Sequence, residues 1–163
     1  MGLVDPAVRD PASDRRYRTA ACGAAQTRAS PDADLPPERD HLMVRPTVLI
    51  VDDHGDFRTA ARELLDAEGF DVVGEANNGA SAVREVARLR PAIVLLDIQL
   101  PDLDGFAVAD QIAARPEPPI VVLISSRDAL VYGDRVETTP ARGFIPKTLL
   151  SGSSLAELLA RHP

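Results

Sequence analysis

Residues 91–106 read PAIVLLDIQLPDLDGF. The run Ile93-Val94-Leu95-Leu96 is short, apolar and unbroken, as expected of a strand covered on both faces. It ends at a carboxylate, Asp97, and opens into a turn built from Pro101, Asp102, Asp104 and Gly105. A strand end opening into a loop is where an α/β protein presents chemistry, because the scaffold behind it is rigid and the loop is accessible.

Working outward, the same alternation repeats. Thr47–Val51 is a second such run and precedes a helix over 56–68. Phe57, Ala60, Ala61, Leu64 and Leu65 form its apolar stripe, Asp56 is its expected N-cap and Gly69 its stop. A strand over 70–74 leads to a helix over 80–89 that carries Val83, Val86 and Ala87 inward and ends before Pro91. After the strand at 93–96 comes a helix over 105–114, ended by the breakers Pro116, Pro118 and Pro119. Ile120–Ile124 is the fourth strand. The stretch up to Pro140 has Gly133 and few aligned apolar residues, which predicts a short or frayed helix. Gly143–Ile145 is the fifth strand, and Ser154 to Glu157 reads as a capping box for a last helix with Leu155, Leu158 and Leu159 inward. Five strand–helix units in succession predict a mostly parallel, doubly wound sheet with helices on both faces.

The 163 residues and 45% hydrophobic content suit one domain with a real core. Residues 1–45 contain Pro6, Pro11, Pro31, Pro36 and Pro37, scattered charge and few large apolar residues, so a disordered extension ahead of a domain at 46–163 is expected. Met43 is a candidate start of translation. No apolar run approaches the roughly 18–20 residues of a membrane span, and no signal segment is evident, so a cytoplasmic protein is expected. Cys22 is the single cysteine, agrees with a reducing compartment and is assigned no role. The net charge is −7. Residues 1–45 hold seven acids and seven arginines, whereas 46–163 hold 18 acids and 11 bases, so the excess lies in the domain. An acidic domain without a basic stripe is not expected to contact nucleic acid directly.

The strand ends carry a pattern. Asp52-Asp53 follows the first, Asp97 the third, Ser125-Ser126 the fourth, and Lys147 lies just past the fifth. Each alone has an ordinary reading: helix capping, turn chemistry, a loop hydroxyl, a solvated cation. Together they place three carboxylates, a hydroxyl and an ammonium at one edge of the sheet. Carboxylates packed so closely require a proton or a cation. Oxygen ligands favour Mg²⁺, which keeps several waters and accepts phosphate oxygens. Lys147 is the only lysine among 18 basic residues, and its compact charge suits one phosphoryl oxygen in a crowded site. His41, His54 and His162 show no ligand spacing and read as solvated. Neither a Gly-x-Gly-x-x-Gly loop nor a Gly-rich loop ending Gly-Lys-Ser/Thr is present, so nucleotide binding has no support.

Residues 46–161 resemble the receiver domain of bacterial two-component response regulators. The resemblance rests on VLIVDDH (48–54), LLDIQLPDLDGF (95–106), VVLISS (121–126) and GFIPK (143–147), in matching order and spacing. It is strongest to the subfamily that usually carries a C-terminal helix-turn-helix domain, yet only 16 residues follow Lys147. The resemblance implies a flavodoxin-like sheet of order 2-1-3-4-5 and a phosphoacceptor at Asp97. It implies Mg²⁺ held by Asp53, Asp97 and the backbone carbonyl of Gln99, with Asp52 orienting the metal or its waters. Ser125 and Lys147 would receive the phosphoryl oxygens, and Phe144 occupies the place of the family's switch aromatic; a plain core role for Phe144 stands beside that reading. The implied partners are a sensor histidine kinase or phosphotransfer protein and a target protein, with a phosphorylation-dependent homodimer as one form.

Three departures bear on this. Phe144 has no hydroxyl, so an outward ring cannot rest on a tyrosine-type hydrogen bond. Thr148 stands where many relatives have a proline, and a trans bond is expected because cis would cost roughly 3 kcal/mol. The frayed fourth helix alters the face by which these domains meet partners. The nearest rival is an aspartate-nucleophile phosphatase of related fold, but Asp52-Asp53-His54 lacks the Asp-x-Asp pair of such enzymes. A phosphate sink or constitutive interaction module without output is the other alternative.

Overall fold

Alternation within the strands divides the core into two layers. In a computed structural model, which describes residues 44–161, β1 (Thr47–Val51), β2 (Asp71–Ala76), β3 (Ile93–Asp97), β4 (Ile120–Ser125) and β5 (Gly143–Pro146) form one sheet. All neighbours are parallel and the order is β2-β1-β3-β4-β5. Leu49, Val51, Val94, Leu96 and Leu123 point to one face, under α2 (Gly79–Leu89) and α3 (Gly105–Ala113). Val48, Ile50, Ile93, Leu95, Val122 and Ile124 point to the other, under α1 (Gly55–Ala67) and α5 (Gly152–Ala160). Side chains of this size each contribute about 1.5–3 kcal/mol when fully buried. The doubly wound fold expected from the sequence is therefore present, in the strand order the resemblance implied.

The elements differ from expectation mainly at their ends. Helix α1 begins at Gly55 with His54 as an extended N-cap that makes no side-chain capping bond. Asp56 is thus inside the first turn, where its charge meets the helix dipole, and does not cap. Ala60 and Ala87 are exposed, and Ala82 rather than Ala87 is buried beneath α2. Helix α5 starts three residues before the expected box. Ser151 is its N-cap and Ser154 serves as N3, each bonding the other's backbone N–H. The earlier start is anchored by Glu68, whose carboxylate accepts the Gly152 N–H.

The weakly patterned stretch is broken as expected. A 3₁₀ turn at Ala129–Val131 and a single-turn α4 (Arg135–Thr138) flank Gly133, whose φ of +53° interrupts the helix. Leu130 and Val131 are exposed. The expected disordered extension, Met43, Cys22, His41 and His162 lie outside the described residues.

Candidate functional site

The order β2-β1-β3-β4-β5 reverses direction between β1 and β3, and ligand sites of open α/β sheets form at the carboxyl ends of strands beside such a reversal. Asp52 follows β1 there and Asp97 ends β3. With Ser125 at the end of β4, they are the buried polar residues among those described. Lys147, just past β5, reaches back across the sheet edge, so that Nζ is 2.9 Å from Asp97 Oδ2 and also pairs with Asp52 Oδ2. Its ammonium lies 4.7 Å from the centre of the Phe57 ring of α1, a favourable cation–π approach. The sequence-predicted Asp52, Asp97 and Lys147 are thus brought together, and Asp53 lies beside the two aspartates.

Backbone donors hold the carboxylates in place. Asp97 Oδ1 accepts the Gln99 N–H at 3.1 Å, and Asp52 Oδ1 accepts the His54 N–H at 2.9 Å. Arg58, one turn into α1, donates from Nη1 to the Asp52 carbonyl at 2.7 Å and from Nε to Glu75 at 3.0 Å, tying β1 to β2. Two close approaches position the β3–α3 loop. A Cβ on Gly105 would lie 2.4 Å from the Asp97 carbonyl oxygen, so only glycine permits that contact. Asp102 accepts the Gly79 and Ala80 N–H groups at 2.7 and 2.9 Å, which docks the loop on the start of α2.

Burial sets the electrostatics. It pushes the Asp97 carboxyl above its ordinary range, with the Asp52 charge adding to the effect, and this outweighs the pull of Lys147 and the Gln99 N–H. Burial pulls the Lys147 ammonium down, but the two carboxylates of Asp52 and Asp97, one hydrogen-bonded and both oppositely charged, outweigh it, and the group is held above its usual value. Asp52 Oδ2 is buried and has no hydrogen-bond partner; Lys147 meets it as an ion pair without hydrogen-bond geometry. Ligand atoms of Asp52, Asp53, His54 and Asp97 lie within 4.8 Å of one another. Three carboxylates against one ammonium leave negative charge in excess, and the oxygen-rich donor set suits a hard divalent cation such as Mg²⁺.

Some residues depart from the sequence-based reading. His54 is not simply solvated: its ring is 71% exposed, but Nδ1 sits 2.7 Å from Asp53 Oδ1 and 3.2 Å from Asp52 Oδ1. Ser125 does not turn its hydroxyl to the carboxylates. Its Oγ is 2.7 Å from the Tyr132 hydroxyl and accepts the Arg127 N–H at 3.1 Å. Phe144 is half-buried on β5 and packs on Tyr132 with ring centroids 6.3 Å apart. Tyr132 and Arg58 are not signalled by the sequence, and Asp102, expected only as a turn residue, also docks the loop on α2. Arg58 falls on the polar side of an amphipathic pattern, and Tyr132 falls in the stretch with least periodicity.

Fold and site together define a doubly wound α/β protein with an acidic, lysine-bearing site at the switch point of its sheet. Residues 48–160 match the family model described as the response regulator receiver domain, and the chain belongs to that family. It is 35% identical over 120 residues to a protein-glutamate methylesterase/protein-glutamine glutaminase of Alkalilimnicola ehrlichii, covering 70% of this chain and 30% of that protein. Among solved structures it is similar to the signal receiver domain of the response regulator NarL from Mycobacterium tuberculosis, with 31% identity, a TM-score of 0.63, and coverage of 72% of this chain and 98% of that one. It is also similar to the CheX–CheY–BeF₃–Mg²⁺ complex of Borrelia burgdorferi, with 27% identity, a TM-score of 0.59, and coverage of 69% and 85%. The chain spans about half the length, or less, of the curated relatives it matches. Among the described residues, no helix is long and apolar enough to cross a membrane.

Proposed function

We propose that Asp97 accepts a phosphoryl group from the phosphohistidine of a sensor kinase or phosphotransfer protein, and that the modified domain switches its contact with a target protein. The observation that carries this reading is the buried Asp97 carboxylate at the sheet edge with Lys147 Nζ 2.9 Å from one of its oxygens. A carboxylate oxygen attacks phosphorus, the P–N bond breaks, and its electron pair returns to the ring nitrogen, so that a phosphohistidine already protonated on its other nitrogen leaves as neutral imidazole. Such transfer depends on in-line positioning and on neutralising the charge of the moving group. Lys147 supplies one positive charge, and Ser125, at the end of β4, would donate to a phosphoryl oxygen once its hydroxyl turns from Tyr132. Asp52, Asp53, Asp97 and the Gln99 carbonyl would hold Mg²⁺, which when bound offsets the remaining charge and orients phosphoryl oxygens. The Borrelia relative is a complex that contains BeF₃ and Mg²⁺, which supports a metal-assisted phosphoryl site in this chain.

The domain acts as a phosphoacceptor switch rather than by turnover, beyond self-phosphorylation and autodephosphorylation, and works in the cytoplasm. Its output surface surrounds α4, β5 and α5. Incubation with Mg²⁺ and a small phosphodonor, followed by mass spectrometry, should reveal one added phosphoryl group in the native chain and none in Asp97→Asn. Steady hydrolysis of small phosphate esters without a labile protein phosphate would instead favour the phosphatase reading.

A further inference from the structure

The Ser125 hydroxyl is engaged away from Asp97. It is fully buried, accepts the Arg127 N–H, and shares a 2.7 Å hydrogen bond with the Tyr132 hydroxyl. A serine hydroxyl carries a single hydrogen, so when it is spent on Tyr132 it cannot also be donated to a phosphoryl oxygen. If Tyr132 is instead the donor, a hydroxyl that turns toward Asp97 weakens that bond by losing its alignment. In either arrangement Tyr132 and a phosphoryl group compete for Ser125.

Tyr132 is well placed to pass on the outcome. Its ring meets the edge of Phe106 of α3 at a centroid distance of 5.9 Å and 61°, and lies tilted at 54° to Phe144 of β5 at 6.3 Å. Arg135 of α4 covers the same Phe106 ring at 4.2 Å and pairs with Asp104, the N-cap of α3. Tyr132 belongs to the stretch broken by Gly133, whose regular structure is one 3₁₀ turn and one helical turn, so little hydrogen-bonded structure must be given up for it to move. Phe144 has no hydroxyl, and among the described residues Tyr132 supplies the side-chain hydrogen bond to Ser125.

We propose that Tyr132 is a positioning residue that senses phosphorylation. In the unmodified protein its hydroxyl holds Ser125 and fastens residues 129–138 to the sheet, and a phosphoryl group on Asp97 claims Ser125 and releases Tyr132. This rests on the phosphoacceptor reading of Asp97. Because coupling is reciprocal, removing the Tyr132 hydroxyl should make the site easier to fill.

The test uses the full chain with Mg²⁺ and beryllofluoride, a phosphoryl mimic, and calorimetry to read affinity. Tyr132→Phe, which keeps the ring, should tighten binding about fivefold, the worth of one net hydrogen bond. Ser125→Ala should weaken binding, and adding Tyr132→Phe to it should change nothing further. In a Tyr17→Phe background, where Tyr132 is the remaining tyrosine, beryllofluoride should shift the tyrosine near-ultraviolet spectrum, and Ser125→Ala should abolish that shift. Unchanged or weaker binding by Tyr132→Phe overturns the proposal, as does an equal gain with and without Ser125. Beryllofluoride binding by the native chain with no response to Tyr132→Phe refutes the role of Tyr132 alone. Failure of the native chain to bind refutes the phosphoacceptor reading and this proposal with it.

Discussion

Asp97 is a carboxylate kept at a cost. Burial raises its proton affinity above the ordinary value of 3.8 despite Lys147, so the native chain retains a proton that the unfolded chain has already released. Stability therefore falls as pH rises from the ordinary carboxylate range through the raised native value, and the loss persists at neutral pH. In metal-free buffer at pH 7, Asp97→Asn should melt at a higher temperature than the native chain. The gap should close as pH falls below 3.8, where Asp97 becomes neutral in both folded and unfolded states. Lys147 runs the opposite way, its raised value adding stability that is lost only when strongly alkaline pH removes its proton. Mg²⁺ should stabilise the native chain more than the Asn variant, which has lost one of the carboxylates that would hold it. Thermal denaturation over a pH series, with and without Mg²⁺, reads all of this, and an Asn variant less stable than the native chain at neutral, metal-free pH contradicts it.

At the scale of elements, the site depends on how the β3–α3 loop closes. Gly105 begins α3, donates its N–H to the Ile98 carbonyl at 2.9 Å and packs against the Asp97 carbonyl, where a Cβ would stand 2.4 Å away. Gly105→Ala must push the backbone of Asp97 aside. The expected cost is about 1–3 kcal/mol, measured as a lower urea midpoint. Phosphoryl uptake per chain should fall with it, because the displaced carboxylate no longer faces Lys147; full uptake at normal stability would show that the loop tolerates the methyl group. The neighbouring strands explain why so much was legible in the sequence. Uninterrupted β-branched and leucine runs bounded by acidic or glycine-rich turns have few alternatives to buried parallel strands, so the pattern alone puts Asp52, Asp53, Asp97, Ser125 and Lys147 at strand ends. Helix starts were less legible. The capping hydroxyl of α5 belongs to Ser151 because Glu68, distant in sequence, accepts the Gly152 N–H. Tyr132 was not legible at all, since its role comes from a hydrogen bond to another strand end and from two aromatic neighbours on different elements.

Across the whole molecule, rigidity is unevenly distributed. The strands that carry Asp52 and Asp97 lie at the centre of the sheet with both faces covered, and their side chains are buried almost throughout. Residues 126–138, by contrast, are exposed apart from Ala129, Tyr132 and Val136, which are partly buried. Leu130 is 88% exposed and α4 is a single turn whose first residue has no side-chain cap. The ion pair between Arg135 and Asp104 is largely exposed and so adds at most about 1 kcal/mol. Amide hydrogen exchange should therefore separate the chain into a slow body, β1, β3 and β4, and a fast segment at 126–138. Phosphorylation, or Mg²⁺ with beryllofluoride, should leave the protection of β1 and β3 unchanged in rank and alter it chiefly at 126–138 and at the Lys147–Leu149 turn. The first of those stretches carries Tyr132, which holds Ser125, and the second begins at Lys147, which pairs with the buried carboxylates. A response confined to α1 and α2, which pack on β1 and β2 rather than on the segment that holds Tyr132, would mean that the signal leaves the site by another route.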